Sequence, residues 1–285
     1  MSAPTVKAAG PGSGSPPQLH RHRPAASARR TLLLRRFLQI GALPAALIFL
    51  WWLISTVSEA YYIPTPDVIA SAFVELWFSE RFLTDAVPSI VRLLSGFALA
   101  GVLGVAIGVV LGLSPVLRAV CEPVLEFLRA IPPPVLVPVL MLFAGIGDTM
   151  KVLVIVLGCI WPILLNTVEG VRAVDPVLSD TCRCYGIGGL RRLRTLVLRS
   201  ASPQIMAGLR QALSIAIILM VISEMFASSS GLGYTIQLFQ DTFAISQMWA
   251  GIVLLGLIGV VLSTIFRHIE NYVLAWHRGL NSRGE

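Results

Sequence analysis

Charged residues are scarce in this chain: only 13% of its 285 residues are Asp, Glu, Lys or Arg, while 55% are hydrophobic and the mean hydropathy is +0.79. That balance excludes a soluble globule and gives a polytopic membrane protein with room for several spans of about 20 residues. No GxxxxGK[ST] stretch occurs, so the chain carries no phosphate-binding loop of that kind. The four cysteines, Cys121, Cys159, Cys182 and Cys184, fall on segments assigned to the membrane or the cytosolic side, which excludes a disulfide framework. Cys182 and Cys184 form a CxC pair with no histidine nearby, and such a pair serves as small structural residues rather than as metal ligands. The four histidines lie near the chain ends without ligand spacing, and no convergent set of nucleophiles, acids or metal ligands points to an enzyme. A net charge of +7 is not accompanied by interleaved aromatics, so nucleic acid is not the partner.

What is present is a set of apolar runs separated by short polar turns. Residues 1–30 are rich in Pro, Gly, Ser and Ala, contain Lys7, Arg21, Arg23, Arg29 and Arg30, and have no acid. They are expected to be a disordered basic cytosolic tail. Spans are predicted over about 37–57, 89–113, 123–147, 152–168, 204–227 and 247–276. The stretch 58–87 holds five acids (Glu59, Asp67, Glu75, Glu80, Asp85) against Arg81, a net of −4, whereas the arginines gather in alternate loops. The positive-inside rule then puts both chain ends in the cytosol, with Arg267, His268, His277, Arg278 and Arg283 closing the last span there. Asp67 follows a proline turn and is placed to open a short outer surface helix.

Within the second span Gly96, Ala100, Gly104, Gly108 and Gly112 recur every fourth residue, a face almost without side chains that predicts close helix packing. Arg92 is expected to snorkel at the outer end. After an inner turn at 114–122, the third span carries Pro132, Pro133, Pro134 and Pro138. These prolines remove backbone donors and predict a broken helix, tolerated where it is buried or lines a watery path. A local ion pair is expected between Glu126 and Arg129. Glu224 is an acid well inside the fifth run but near its outer end; a gating or hydrogen-bonding role and a simple interfacial acid both remain open. Ser228, Ser229, Ser230, Gly231 and Gly233 after it read as a flexible hinge, followed by an amphipathic piece from Tyr234 to Phe239.

The longest polar interruption is residues 180–210, DTCRCYGIGGLRRLRTLVLRSASPQIMAGLR, with six arginines against the single acid Asp180. The pattern predicts two short helices hinged at a glycine: a short polar turn over 180–185 is stopped by Gly186, whose left-handed conformation costs little, and a basic amphipathic helix follows. The acid six residues before a glycine, the small residue four before it, the basic helix, the proline and AGLR resemble the EAA loop of ABC importer permeases. The positions that match are Asp180, Cys182 (usually alanine), Gly186, Pro203, Gly208 and Arg210; Arg199 departs, standing where the family usually has proline. Three other stretches add to the resemblance: IPTPDVI, the third-span LRAIPPPVLVPVLMLFAGIGDTMK, which is similar to the nitrate, sulfonate and taurine branch, and SEMFASSSGLGY.

The resemblance implies an all-α, six-span protein of the type I ABC importer fold in a bacterial cytoplasmic membrane, with a cytosolic coupling loop over 169–203. It implies a permease paired with a second copy, two ATPase subunits below and an extracytoplasmic solute-binding protein. ATP and magnesium would be bound by the ATPase and no cofactor by this chain. The loop residues it singles out are Asp180, Cys182, Arg183, Tyr185, Gly186 and Pro203. The pathway or gating candidates are Pro132, Pro133, Pro134, Pro138, Glu224, Gly231 and Gly233. The solute implied is a small, often anionic one such as a sulfonate or nitrate, with aromatic acids and pyrimidine vitamin precursors as alternatives. A stand-alone secondary transporter or channel is the competing class; it requires ionisable residues at mid-membrane or repeated broken helices, and neither pattern is found.

Overall fold

The structure is a computed structural model that describes residues 26–58, 61–226 and 228–276, with side chains from residue 41 onward. Most of the expected tail, and His277, Arg278 and Arg283, lie outside the described residues. The first helix, α1, spans Ala26–Ser58, so helix begins within the stretch expected to be a tail. Residues up to Ile54 form a unit of their own. Its apolar part, Gly41–Ser58, is long enough to cross a membrane, and Phe49 stacks on Trp52 near its end.

Every regular element among the described residues of the second unit is a helix. A short helix α2 (Pro66–Trp77) has Pro66 and Asp67 in its first turn, where a preset φ and a negative charge both favour helix initiation. The long helices are α3 (Val87–Leu113), α6 (Asp148–Arg172), α9 (Leu198–Phe226) and α11 (Ile245–Val273). Between α3 and α6 lie α4 (Pro115–Ala130) and α5 (Val137–Ala144); between α6 and α9 lie α7 (Pro176–Cys184) and α8 (Gly189–Arg192); α10 (Leu232–Asp241) precedes α11.

Glycines set the packing of the core. A Cβ on Gly96 would lie 2.7 Å from Ile155 Cγ2, on Gly104 2.9 Å from Ile163 Cγ2, on Gly108 2.7 Å from Thr167 Cβ and on Gly112 2.7 Å from Val171 Cβ. The whole stripe therefore lies against α6, and because both numbers rise together the two helices run parallel. On its other side α6 meets α9: a Cβ on Gly208 would lie 2.7 Å from the Pro162 carbonyl, and one on Gly170 2.9 Å from Gln204 Cβ. Here the numbers run in opposite senses, so α9 is antiparallel. Leu93, Ile155, Ile163, Leu213 and Met220 fill the buried centre of this three-helix core.

A parallel α3 and α6 require the chain between them to return to the end from which α3 started. That return is the bent pair Pro115–Ala130 and Pro133–Ala144, which turn by 84° at the proline cluster. Among the described residues five helices are long and apolar enough to cross a membrane, six with the bent pair counted as one span. The break falls where Pro132, Pro133 and Pro134 withhold backbone donors. The inner turn expected at 114–122 is instead the first half of α4. Ser114 caps it by accepting from Leu117 N–H at 3.3 Å, Pro115 occupies the first turn, and the Arg118 and Glu122 charges that suggested a turn lie on one face of an amphipathic helix.

Candidate functional sites: an exposed basic loop and a buried charge knot

The end of the core where α3 and α6 finish and α9 begins is the arginine-rich one, and is called the basic end below. Asp175 and Pro176 start α7 there: the Asp175 carboxylate accepts from Val177 N–H at 2.8 Å, and Pro176 supplies the preset φ of the first turn. The helix stops in a Schellman arrangement. Gly186 stands at φ +66, its N–H donates to Arg183 C=O at 3.0 Å, and Ile187 N–H donates to Cys182 C=O at 2.8 Å. The short first helix, expected as one polar turn over 180–185, thus starts earlier, at Pro176, because its Asp-Pro start lies upstream of Asp180.

None of the α7 residues is buried. Val177 is 70% exposed and Tyr185 79%, so the element presents large apolar surface. Asp180 and Arg183 form an exposed ion pair at 3.4 Å, and Cys182 lies half-buried between them in sequence. One strut ties the element down, from Arg192 Nη2 to Ser179 Oγ at 2.7 Å. Gly189, at φ +53, then lets the chain turn into a continuous helical run over Gly189–Phe226. Pro203 belongs to this run rather than to the loop. The Arg199 carbonyl that a residue 203 N–H would have served accepts instead from Ser202 Oγ at 2.8 Å.

The opposite end is built around Glu224, which is fully buried. Arg92 Nη1 donates to its carboxylate at 2.7 Å, the Ser89 hydroxyl lies 2.8 Å from both oxygens, and Gly233 N–H donates to it at 3.0 Å. Arg92 also donates through Nε to Asp148 at 2.7 Å and through Nη1 to Ser230 C=O at 3.2 Å. Lys151, one of only two lysines in the chain, is buried and donates to Ser228 Oγ at 2.7 Å. Asp85 accepts from Gly231 N–H at 3.2 Å, and Ser89 Oγ from Leu232 N–H at 2.9 Å. One knot of charges therefore ties α3, α6, α9 and the lead into α10 together.

Two expectations are corrected by this geometry. Arg92 does not snorkel: it is 6% exposed and points inward, because a buried carboxylate across the helix interface outcompetes water for its guanidinium. The serine and glycine stretch after Glu224 is not a free hinge. Gly231 stands at φ +120, and a Cβ there would lie 2.5 Å from the Glu224 carboxyl carbon; one on Gly233 would lie 2.5 Å from Val221 C=O. Both glycines let the backbone close on the acid. The pairing of Arg92 with Glu224 was missed in the sequence, although opposite charges near the same end of two spans were a signal for it. Pro132, Pro133, Pro134 and Pro138 lie at and beyond the α4–α5 break, where a Cβ on Gly158 of α6 would lie 3.2 Å from Pro133 Cγ. Among the described residues no cluster of His, Cys, Asp or Glu is arranged to hold a metal ion.

Comparison with known proteins converges on one family. The model of the binding-protein-dependent transport system inner membrane component matches residues 100–274. The putative aliphatic sulfonates transport permease protein SsuC of Bacillus subtilis is 32% identical over 236 residues, which is 82% of this chain and 86% of that protein. The taurine transport system permease protein TauC of Escherichia coli is 27% identical, over 84% of this chain and 90% of its own length. In fold, the chain is similar to a subunit of the inward-facing MetNI methionine ABC transporter, with a TM-score of 0.59 at 16% identity over 66% of this chain and 94% of that one. The chain therefore belongs to the family of binding-protein-dependent transport system inner membrane components, and is a multi-pass membrane protein.

Proposed function

We propose that the chain is the permease subunit of an ATP-driven importer for a small organic anion. The observation that carries this reading is α7: a short, capped helix with exposed Val177 and Leu178 and with Tyr185 exposed at its end, standing in the chain between α6 and α9, which pack against each other in the core. A displacement of α7 acts on the last turn of α6 on one side and, through the continuous run over Gly189–Phe226, on α9 on the other. Such an element fits the role of a handle for a separate ATPase. Asp180, Cys182, Arg183, Tyr185 and Gly186 would form the docked surface, with ATP and magnesium bound on the partner.

The rest of the machine follows from surfaces that one chain leaves uncovered. α4 buries none of its residues, and Leu142 and Phe143 of α5 are each 85% exposed, surface for a second copy of the chain. On α9 the exposed Gln204, Gln211 and Ser214 make a polar stripe along an otherwise apolar span, which suits a water-filled path better than lipid. The carbonyls freed at Pro132, Pro133, Pro134 and Pro138 suit the same path. The arginine-rich end lies in the cytosol and the acidic end outside, where a solute-binding protein delivers the solute. ATP drives the cycle through its different affinity for the two states of the ATPase pair. The sulfonate and taurine relatives support an anionic solute.

The reading is tested by uptake into proteoliposomes holding the chain, its ATPase subunit and its binding protein. Uptake should require all three and ATP. Uptake driven by an ion gradient with the ATPase omitted would replace the importer by a secondary transporter.

A further inference from the structure

Near the basic end, α9 and α11 enclose an open cavity of about 460 Å3. Arg210 and Ser214 line it from α9, and Ser263, Arg267, Glu270 and Asn271 from α11. Its floor is apolar, from Leu213 and Phe266. Two guanidinium groups face a single carboxylate, so the lining has an excess positive charge. Arg210 Nη2 donates to Glu270 Oε1, yet the Arg210 side chain is 62% exposed while that of Glu270 is 9% exposed. Glu270 thus fixes the guanidinium from below and leaves its other N–H groups facing the cavity. Arg267, Ser214 and Ser263 are exposed, and their side chains make no hydrogen bond among the described residues. Polar groups on membrane helices are retained where they meet water or an ionic partner, not hydrocarbon.

We propose that this cavity receives a small oxyanion, a sulfonate, carboxylate or phosphate group held between the Arg210 and Arg267 guanidiniums with the Ser214 and Ser263 hydroxyls as further donors. Guanidinium forks match the paired oxygens of such groups. Glu270 plays two parts: it orients Arg210, and its negative charge beside the site weakens the anion so that it is released. The identification of the anion with the transported solute rests on the importer reading, whereas the site itself rests on the cavity and its donors. The same chemistry has two sources, a free organic anion or the phosphate of an anionic lipid.

The test uses the full chain in lipid nanodiscs, with thermal unfolding as the readout and chloride at matched ionic strength as the control. In phosphatidylcholine discs, methanesulfonate should raise the unfolding temperature. Arg267→Gln, at an exposed position, should abolish that rise while leaving the unfolding temperature without anion unchanged. Glu270→Gln should lower the half-effect concentration by about tenfold, the gain expected from removing one like charge at close range. If discs containing phosphatidylglycerol give an Arg267-dependent rise that methanesulfonate no longer adds to, the oxyanion is the lipid phosphate; if they give none, it is the free anion. A methanesulfonate response that survives Arg267→Gln, or no Arg267-dependent response to either probe, overturns the proposal. No ATPase subunit enters this assay, so a failure of ATP-driven uptake with anion binding intact would sink the importer reading alone.

Discussion

The two ends of the core are stabilised in opposite ways. At the basic end α7 holds its shape by local means, a capping Asp175, a left-handed Gly186 and a strut from Arg192 to Ser179, and has no fully buried residue. At the other end Arg92, Glu224, Asp148, Lys151 and Ser89 are joined across three long helices around a carboxylate with no exposure. A locally stabilised helix can be displaced without exposing core, whereas a buried charge pair resists separation because either partner left alone is desolvated and uncompensated. One end is suited to being pushed and the other to staying closed.

The contrast is broken most severely at Glu224. Glu224→Ala leaves Arg92 buried without its buried counter-ion and should destabilise the chain by about 3–5 kcal/mol, read as a loss of folded protein in thermal unfolding in detergent. Next comes Gly231→Ala, where the new Cβ meets both a positive φ and the Glu224 carboxylate; about 1–3 kcal/mol is expected in the same assay. Gly108→Ala pushes a Cβ into Thr167 and the Leu164 carbonyl and should also cost about 1–3 kcal/mol, because α3 and α6 must move apart. The smallest effect on stability belongs to the basic end: Tyr185→Ala, on an exposed side chain, should change it by no more than about 0.5 kcal/mol while weakening retention of the ATPase subunit on the purified permease. Equal losses of stability at Glu224 and Tyr185 would erase the distinction between the two ends.

Much of this fold is legible from residue spacing alone. The glycine stripe of α3 announces a close helix neighbour, the prolines announce the break after α4, and Pro66 with Asp67 announces α2. What the pattern hides is anything that depends on which span lies beside which. The stripe on α3 shows that a helix approaches but not that it is α6, whose own Gly158 and Gly170 stand among bulky residues without a regular period. Arg92 looked like a solvated end residue because its partner is 132 residues away along the chain. Where α4 and α7 start was obscured for a different reason: both are charged enough to interrupt the hydropathy signal, and their starts are written in the Ser-Pro and Asp-Pro pairs before them. The loop was the more legible of the two sites, since its capping is local; the knot is tertiary and had to be seen.

The central claim is that α7 is the element through which ATP hydrolysis acts on the spans. It is tested by ATP hydrolysis of the purified complex in lipid, with its ATPase and binding protein, comparing the unaltered chain with Asp180→Lys and Gly186→Pro. The account predicts that the permease variants still fold, with unfolding temperatures close to that of the unaltered chain for Asp180→Lys, while complex assembly or stimulated hydrolysis collapses. Stimulated hydrolysis and uptake at unaltered rates in both variants would contradict it.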